Sequence, residues 1–291
     1  MKKLLSLLIV CVFAFTLLTG CGNGAQNSPS PTAQPTPDNS QQDNQPAALS
    51  GNISTSGSTS VEKVINALIE AFCAEHSAVT ITYDAPGSGP GITAASEGTV
   101  DIGLASRALK DTETGLDATV FALDGIAIIV NKANPVSNLT IEQIAGLYTG
   151  EIDNWSGVGG SDGPVAIIGR EPGSGTRDGF ESLIGVAEKC LYDQEQTSTG
   201  AVISAVAANP NAIGYASLSA VNDTVKAVTV NGIACTEDTV LDGSYAVQRP
   251  FVFVTITGKE LSPQAKAFVD FATSPDAAEI ISNAGAVQPK T

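Results

Sequence analysis

Val165-Ala166-Ile167-Ile168-Gly169-Arg170-Glu171-Pro172-Gly173-Ser174-Gly175-Thr176-Arg177 sets an apolar, β-branched run against a glycine-rich turn carrying a guanidinium and two hydroxyls. The run reads as a buried strand. Phe180, Leu183 and Ile184 then recur at helical spacing, so Ser174 to Thr176 stand where a helix begins and its unpaired backbone N–H groups point outward. Such an N-terminus attracts anions, and Arg170 adds a bidentate fork. The stretch therefore predicts strand, oxyanion-holding loop and helix. A nucleoside-triphosphate loop needs Gly, four residues, Gly, then Lys and Ser or Thr. Gly169 and Gly175 have that spacing, but Thr176 stands where Lys is required, which excludes the class. An ordinary turn with a solvated Arg is the plain alternative, and the rest of the chain has to decide against it.

The N-terminus points to export. Lys2 and Lys3 precede an apolar run from Leu4 to Leu18, too short for a membrane span, which predicts a signal peptide over 1–20. Leu18-Thr19-Gly20-Cys21 resembles a bacterial lipobox, in which Cys21 is lipidated and becomes the new N-terminus. From 21 to 47 the chain is Asn, Gln, Ser, Pro and Thr with almost nothing apolar, the composition of a disordered tether. The roughly 240 residues that follow suffice for one large or two medium cores. The formal charge is −16, and losing Lys2 and Lys3 with a signal that holds no Asp or Glu leaves 12 basic against 30 acidic side chains, a net of −18. That balance excludes a nucleic-acid partner and means an anion is held by local donors, against the overall field. With Cys11 removed and Cys21 lipidated, Cys73, Cys190 and Cys235 remain, so a Cys190–Cys235 disulfide is open to an exported protein. No Cys-x-x-Cys exists and His76 is the only histidine, so no metal and no cofactor are expected.

In chain order the pattern alternates. A short strand at 49–53 leads through Ser54 to Ser60 into a helix whose stripe is Val61, Val64, Ile65, Leu68, Ile69 and Phe72, with Thr59 and Glu62 spaced as a capping box. Strand Val79–Tyr83 precedes a second hydroxyl loop, Gly87-Ser88-Gly89-Pro90-Gly91, and a helix over 92–97; strand Val100–Leu104 ends in Ala105-Ser106-Arg107. This is a doubly wound α/β pattern, whose ligands sit in the crevice at the C-terminal ends of the strands. Strand 125–130 then crosses to a second lobe over 131–244, built from helix 140–148 capped by Thr140 and Gln143, strand 165–169, helices 178–185 and 201–208, and strands 212–216 and 226–230. The apolar run 245–254 returns the chain, and helices opening at Ser262-Pro263 and Ser274-Pro275 close the first lobe, 48–130 plus 245–291. Two crossings make a hinge.

These residues carry a family resemblance. Over roughly Leu49 to Val287 the chain resembles the phosphate-binding lipoproteins of bacterial ABC phosphate-uptake systems, on Gly57-Ser58-Thr59-Ser60, Gly87-Ser88-Gly89, Asp101-Ile102-Gly103, Arg170, Gly173-Ser174-Gly175-Thr176 and Arg249-Pro250. The resemblance implies a two-lobed periplasmic-binding-protein fold with inorganic phosphate in the interlobe cleft, high affinity, delivery to an ABC permease, no enzymatic activity, and a monomer lipid-anchored at the extracytoplasmic face of the cell membrane. It implies that Ser58 or Thr59, Ser88, Arg170, Ser174, Gly175 and Thr176 bind the anion. One departure stands out: the family often ends the Asp-x-Gly segment in Ala-Ser-Asp, whose carboxylate takes the ligand's proton, and here Arg107 occupies that place. Arg107 would add a second guanidinium or turn to a nearby carboxylate, and Asp84, Glu171 and Asp178 are the acceptors close in sequence. Without that carboxylate a receptor for sulfate, molybdate or tungstate stays open. An exported hydrolase using Ser88 or Ser174 as nucleophile is the reading from another class; His76, its only histidine, lies in the first predicted helix, away from every loop.

Overall fold

The computed structural model describes residues 48–290; the signal, Cys21 and tether expectations lie outside them. The elements in chain order are β1 (Gly51–Gly57), α1 (Glu62–Glu75), β2 (Val79–Asp84), α2 (Ser88–Ser96), β3 (Ile102–Ala105), β4 (Leu116–Asn131), β5 (Asn138–Leu139), α3 (Ile141–Tyr148) and β6 (Ala166–Arg170). Then come α4 (Gly175–Leu183), β7 (Gln194–Gln196), α5 (Thr199–Ala208), β8 (Ala212–Ser217), β9 (Val225–Ala227), β10 (Thr229–Val230), α6 (Glu237–Leu241), β11 (Gln248–Ile256), α7 (Pro263–Thr273) and α8 (Ala278–Asn283).

One curled sheet runs β2-β1-β3-β11-β4-β8-β6-β7, with β9 beside β4. β1 pairs parallel with β2 and β3, and β6 pairs parallel with β7 and β8. Between these two parallel sets lie the antiparallel partners β4 and β11: β11 pairs with β3 and with the first half of β4, and the second half of β4 pairs with β8. The apolar residues divide accordingly. Ile53, Leu68, Phe72, Ile102, Phe253 and Phe268 belong to one core; Ile128, Leu139, Tyr148, Phe180, Ile213 and Tyr215 belong to another. Two lobes on a two-strand hinge follow from this distribution.

Local chemistry explains the better-read elements. α3 starts on the capping box expected for it: Thr140 Oγ1 accepts from Gln143 N at 3.2 Å, and Gln143 Oε1 accepts from Thr140 N at 2.9 Å. Ser262 caps α7, with Pro263 in its first turn. Two expectations fail. Thr59 does not cap α1, whose N-cap position is Val61 with no side-chain bond, because Thr59 reaches across to the other lobe. β4 is 16 residues long, beginning nine residues before the expected crossing, because pairing with β11 extends it back through the buried Phe121 and Ala122 and the exposed residues 117–120. Cys190 and Cys235 are free thiols in separate surroundings: Cys190 packs near Tyr192, and Cys235 Sγ lies against Gly125 and Tyr245. Burial pushes the Cys190 thiol up to about 11.

Candidate functional site

The crevice is built by strand ends and helix starts facing one another across the lobes. Gly91 of α2 packs on Gly57, where an added Cβ would lie 2.4 Å from the Gly57 Cα, so only glycine lets the start of α2 approach the end of β1 this closely. On the opposite lobe β6 delivers Arg170, and Ser174 caps α4 by accepting from Arg177 N at 3.4 Å. Gly175 and Thr176 occupy the first turn of α4, where helical N–H groups have no acceptor along the helix. Their surroundings come from the first lobe. A Cβ on Gly175 would meet Ser88 Oγ at 2.3 Å and Ser106 Oγ at 2.9 Å.

Hydroxyls link the lobes. Ser60 Oγ lies 2.7 Å from Thr176 Oγ1 and 2.9 Å from Thr199 Oγ1, and Thr59 Oγ1 lies 3.1 Å from Thr199 Oγ1. Gly89 N donates to Gly173 O at 2.9 Å. Within the first lobe Ser58 Oγ donates to Ser106 Oγ at 2.8 Å, and Ser88 Oγ lies 3.3 Å from Ser106 Oγ. All of these side chains are buried.

Arg170 is 2 % exposed. Its Nε and Nη2 hold the Glu171 carboxylate at 2.9 and 2.8 Å, Nε also donates to Gln196 O at 3.2 Å, and Nη1 donates to Thr199 Oγ1 at 3.3 Å. A guanidinium has five N–H donors, so one remains on each of Nη1 and Nη2. A buried, charge-balanced fork with donors to spare is suited to an oxyanion.

The structure therefore brings together Ser58, Thr59, Ser88, Arg170, Ser174, Gly175 and Thr176. Arg107 does not join them. Its Nη1 and Nη2 hold Glu113 at 2.8 and 2.7 Å, Nη1 also donates to Ala108 O at 2.9 Å, and Nε donates across the lobes to Asp178 at 2.9 Å. Burial acts to lower the Arg107 pKa, and the bonds and charges of Glu113 and Asp178 outweigh it and raise it. The expected second guanidinium is thus an interlobe bridge. The carboxylates close in sequence are paired with cations, Glu171 with Arg170 and Asp178 with Arg107 and Lys110, while Asp84 is exposed. Arg177 pairs with Glu181 and Glu195 and lies over the Tyr192 ring, an ordinary structural role. His76 packs against Phe72 at the far end of α1, with the rings tilted 53° to each other.

Sequence reasoning missed Ser60, Ser106 and Thr199 as members of this cluster, and Asp124 behind it. Thr199-Gly200 at the start of α5 after β7 repeats the strand, hydroxyl, helix design, a signal that was available. Asp124 signals itself only as a carboxylate inside an apolar run. It is fully buried and bonded to Arg249 Nε and Nη2 at 3.2 and 3.0 Å, and Arg249 Nη1 reaches Ser106 Oγ at 3.1 Å. Burial pushes the Asp124 carboxyl up and the Arg249 guanidinium down, each opposed by the charge of the other.

Fold and crevice define a two-lobed binding protein that holds its ligand where helix starts from both lobes converge. Residues 38–276 match the PBP superfamily domain. The chain is 30% identical to the phosphate-binding protein PstS of Bacillus subtilis over 95% of this chain and 91% of that one, and 29% identical to PstS of Borreliella burgdorferi over 82% and 90%. Among solved structures it superposes with TM-score 0.80 and 43% identity on a phosphate ABC transporter substrate-binding protein with bound phosphate from Clostridium perfringens, covering 82% of this chain and all of that one. An ABC-type phosphate transport receptor from Vibrio cholerae gives TM-score 0.68 and 35% identity, covering 81% and all. The chain belongs to the PBP superfamily and, within it, to the PstS phosphate-binding proteins.

Proposed function

We propose that the chain is the phosphate receptor of an ABC phosphate-uptake system, held at the extracytoplasmic face of the cell membrane by a lipid on Cys21 and handing phosphate to the permease. The carrying observation is the buried Arg170 fork, neutralised by Glu171 and left with two N–H donors, beside the first turn of α4. Ser88, Ser58 or Thr59, Ser174 and Thr176 would supply hydroxyls, and Gly175 and Thr176 backbone N–H groups. The lobes, 48–130 with 245–291 and 131–244, would close on the anion about β4 and β11, expelling water and strengthening each bond. The names of its relatives and the bound phosphate in the Clostridium perfringens protein support this reading over a sulfate or molybdate receptor.

Calorimetry of the purified chain near neutral pH tests it, with sulfate as competitor. Phosphate should bind and sulfate should not displace it at similar concentration; no heat with phosphate, or equal displacement, refutes the assignment.

A further inference from the structure

The hydrogens of the serine chain beside α4 can be counted. Ser106 Oγ accepts from Arg249 Nη1 at 3.1 Å and from Ser58 Oγ at 2.8 Å, which fills both of its lone pairs. Its own proton therefore goes to Ser88 Oγ, 3.3 Å away. Ser88 Oγ also accepts from Ser106 N at 3.2 Å, so its acceptor capacity is full and its proton points out of the chain. Ser58 is the opposite end. Its proton goes to Ser106, one lone pair takes Ser60 N at 3.2 Å, and one lone pair is left. The chain thus ends in one free donor, on Ser88, and one free acceptor, on Ser58.

Arg249 fixes that direction because a guanidinium can only donate. It cannot turn away, since Asp124, its cross-strand partner in the β4–β11 pairing, holds Nε and Nη2, and Ser217 Oγ in turn donates to the other Asp124 oxygen at 2.7 Å. The carboxylates of Asp124, Glu171 and Asp178 are each paired with a guanidinium, and the remaining lone pair of Ser58 Oγ adds a buried hydroxyl acceptor to the crevice.

We infer that the hinge pair Asp124–Arg249, acting through Ser106, makes Ser58 Oγ a hydrogen-bond acceptor and so selects oxyanions that carry a proton, such as hydrogen phosphate and hydrogen arsenate, over fully deprotonated ones such as sulfate. This rests on the phosphate reading of the crevice. A protonated oxyanion donates to Ser58; a bare one sets an oxygen against its lone pair and leaves both unsatisfied, a buried mismatch that weakens binding on the order of tenfold or more. Arg249 and Ser106 are positioning residues, and Ser58 the selecting one.

The experiment measures phosphate and sulfate dissociation constants by calorimetry for the parent chain, Ser106→Ala and Ser58→Ala. In Ser106→Ala the Ser58 proton loses its acceptor and turns outward, so phosphate weakens while sulfate holds or tightens. The sulfate-to-phosphate ratio should fall about tenfold or more. Ser58→Ala should lower the same ratio, because phosphate loses its acceptor and sulfate loses the opposing lone pair. Arg249→Met would leave Asp124 buried and unpaired and endanger the fold, whereas each serine variant removes one hydroxyl, and its unchanged melting temperature certifies the fold. A ratio within twofold of the parent in both serine variants, with the parent still selective for phosphate, overturns this inference and leaves the receptor reading standing; a parent chain that does not bind phosphate overturns both.

Discussion

Gly175→Ala separates closure of the crevice from folding. The Gly175 φ is not in the left-handed region, and an alanine in the first turn of a helix is locally neutral or favourable. The new Cβ would nevertheless meet Ser88 Oγ at 2.3 Å, Ser88 Cβ at 2.8 Å and Ser106 Oγ at 2.9 Å. All three atoms belong to the other lobe, so hinge opening relieves the overlap without unfolding either core. Overpacking of this kind typically costs ~1–3 kcal/mol, and it falls on the closed, ligand-holding form alone. At about 1.4 kcal/mol per tenfold, phosphate affinity should drop roughly 5- to 150-fold. The assay pairs calorimetry with melting in the absence and presence of phosphate. The melting temperature without phosphate should stay near the parent's, while the stabilisation by a fixed phosphate concentration, which grows as RT ln(1 + [L]/Kd), should shrink. An affinity within threefold of the parent would show that the lobes bind phosphate without bringing Gly175 against Ser88, and the closure argument would fail.

Arg170→Ala removes the buried fork and should cost at least tenfold in phosphate affinity by calorimetry, since bonds to a charged group contribute ~1.5–3 kcal/mol; a variant within threefold contradicts its role. Arg107→Ala should weaken phosphate binding only two- to tenfold, ~0.5–1.4 kcal/mol, because a partly exposed interlobe bridge is lost and no ligand contact. A double-mutant cycle with Asp178→Asn should show the two changes to be less than additive, and strict additivity would deny the bridge. Stability should also fall on acidification through Glu113. Burial acts to raise its carboxyl, but the Arg107 fork and the Lys110 N–H outweigh that and hold it below its ordinary value of 4.5. A carboxyl depressed in the fold contributes stability above its unfolded pKa and loses it as pH falls through the folded value. Denaturant titrations of Glu113→Gln should therefore show a shallower decline below about pH 4.5 than the parent.

What the sequence disclosed and what it hid divide along local and non-local lines. Val165 to Arg177 announced β6 and α4 within a few residues because a β-branched apolar run, a glycine turn and a helical stripe all agree there. The start of β4 was hidden because residues 117–120 are exposed and are held in the strand by pairing with β11, some 130 positions on. Thr59 carried a correct local signal for a cap, and a contact with Thr199 from the other lobe overrode it. Arg107 illustrates the same limit at the site. Its backbone follows Ser106 at the end of β3, as expected, but its side chain is aimed by Glu113 in a neighbouring loop and Asp178 on α4, and only the second lies on the far lobe.

Each arginine at the crevice is matched by a carboxylate: Arg170 by Glu171, Arg249 by Asp124, Arg107 by Glu113 and Asp178. A chain of net charge −16 accordingly presents an anion with little positive field, and what it offers are aimed N–H and O–H donors. Such a crevice gains its ligand free energy on closure, when water leaves and donors from both lobes converge, rather than by attraction at a distance. That places the most sensitive residues where the lobes nearly touch and where the hinge strands cross. Gly175 sets how closely α4 approaches Ser88 and Ser106, and the Asp124–Arg249 pair, seated on the crossing strands themselves, fixes the orientation of the hydroxyls it approaches.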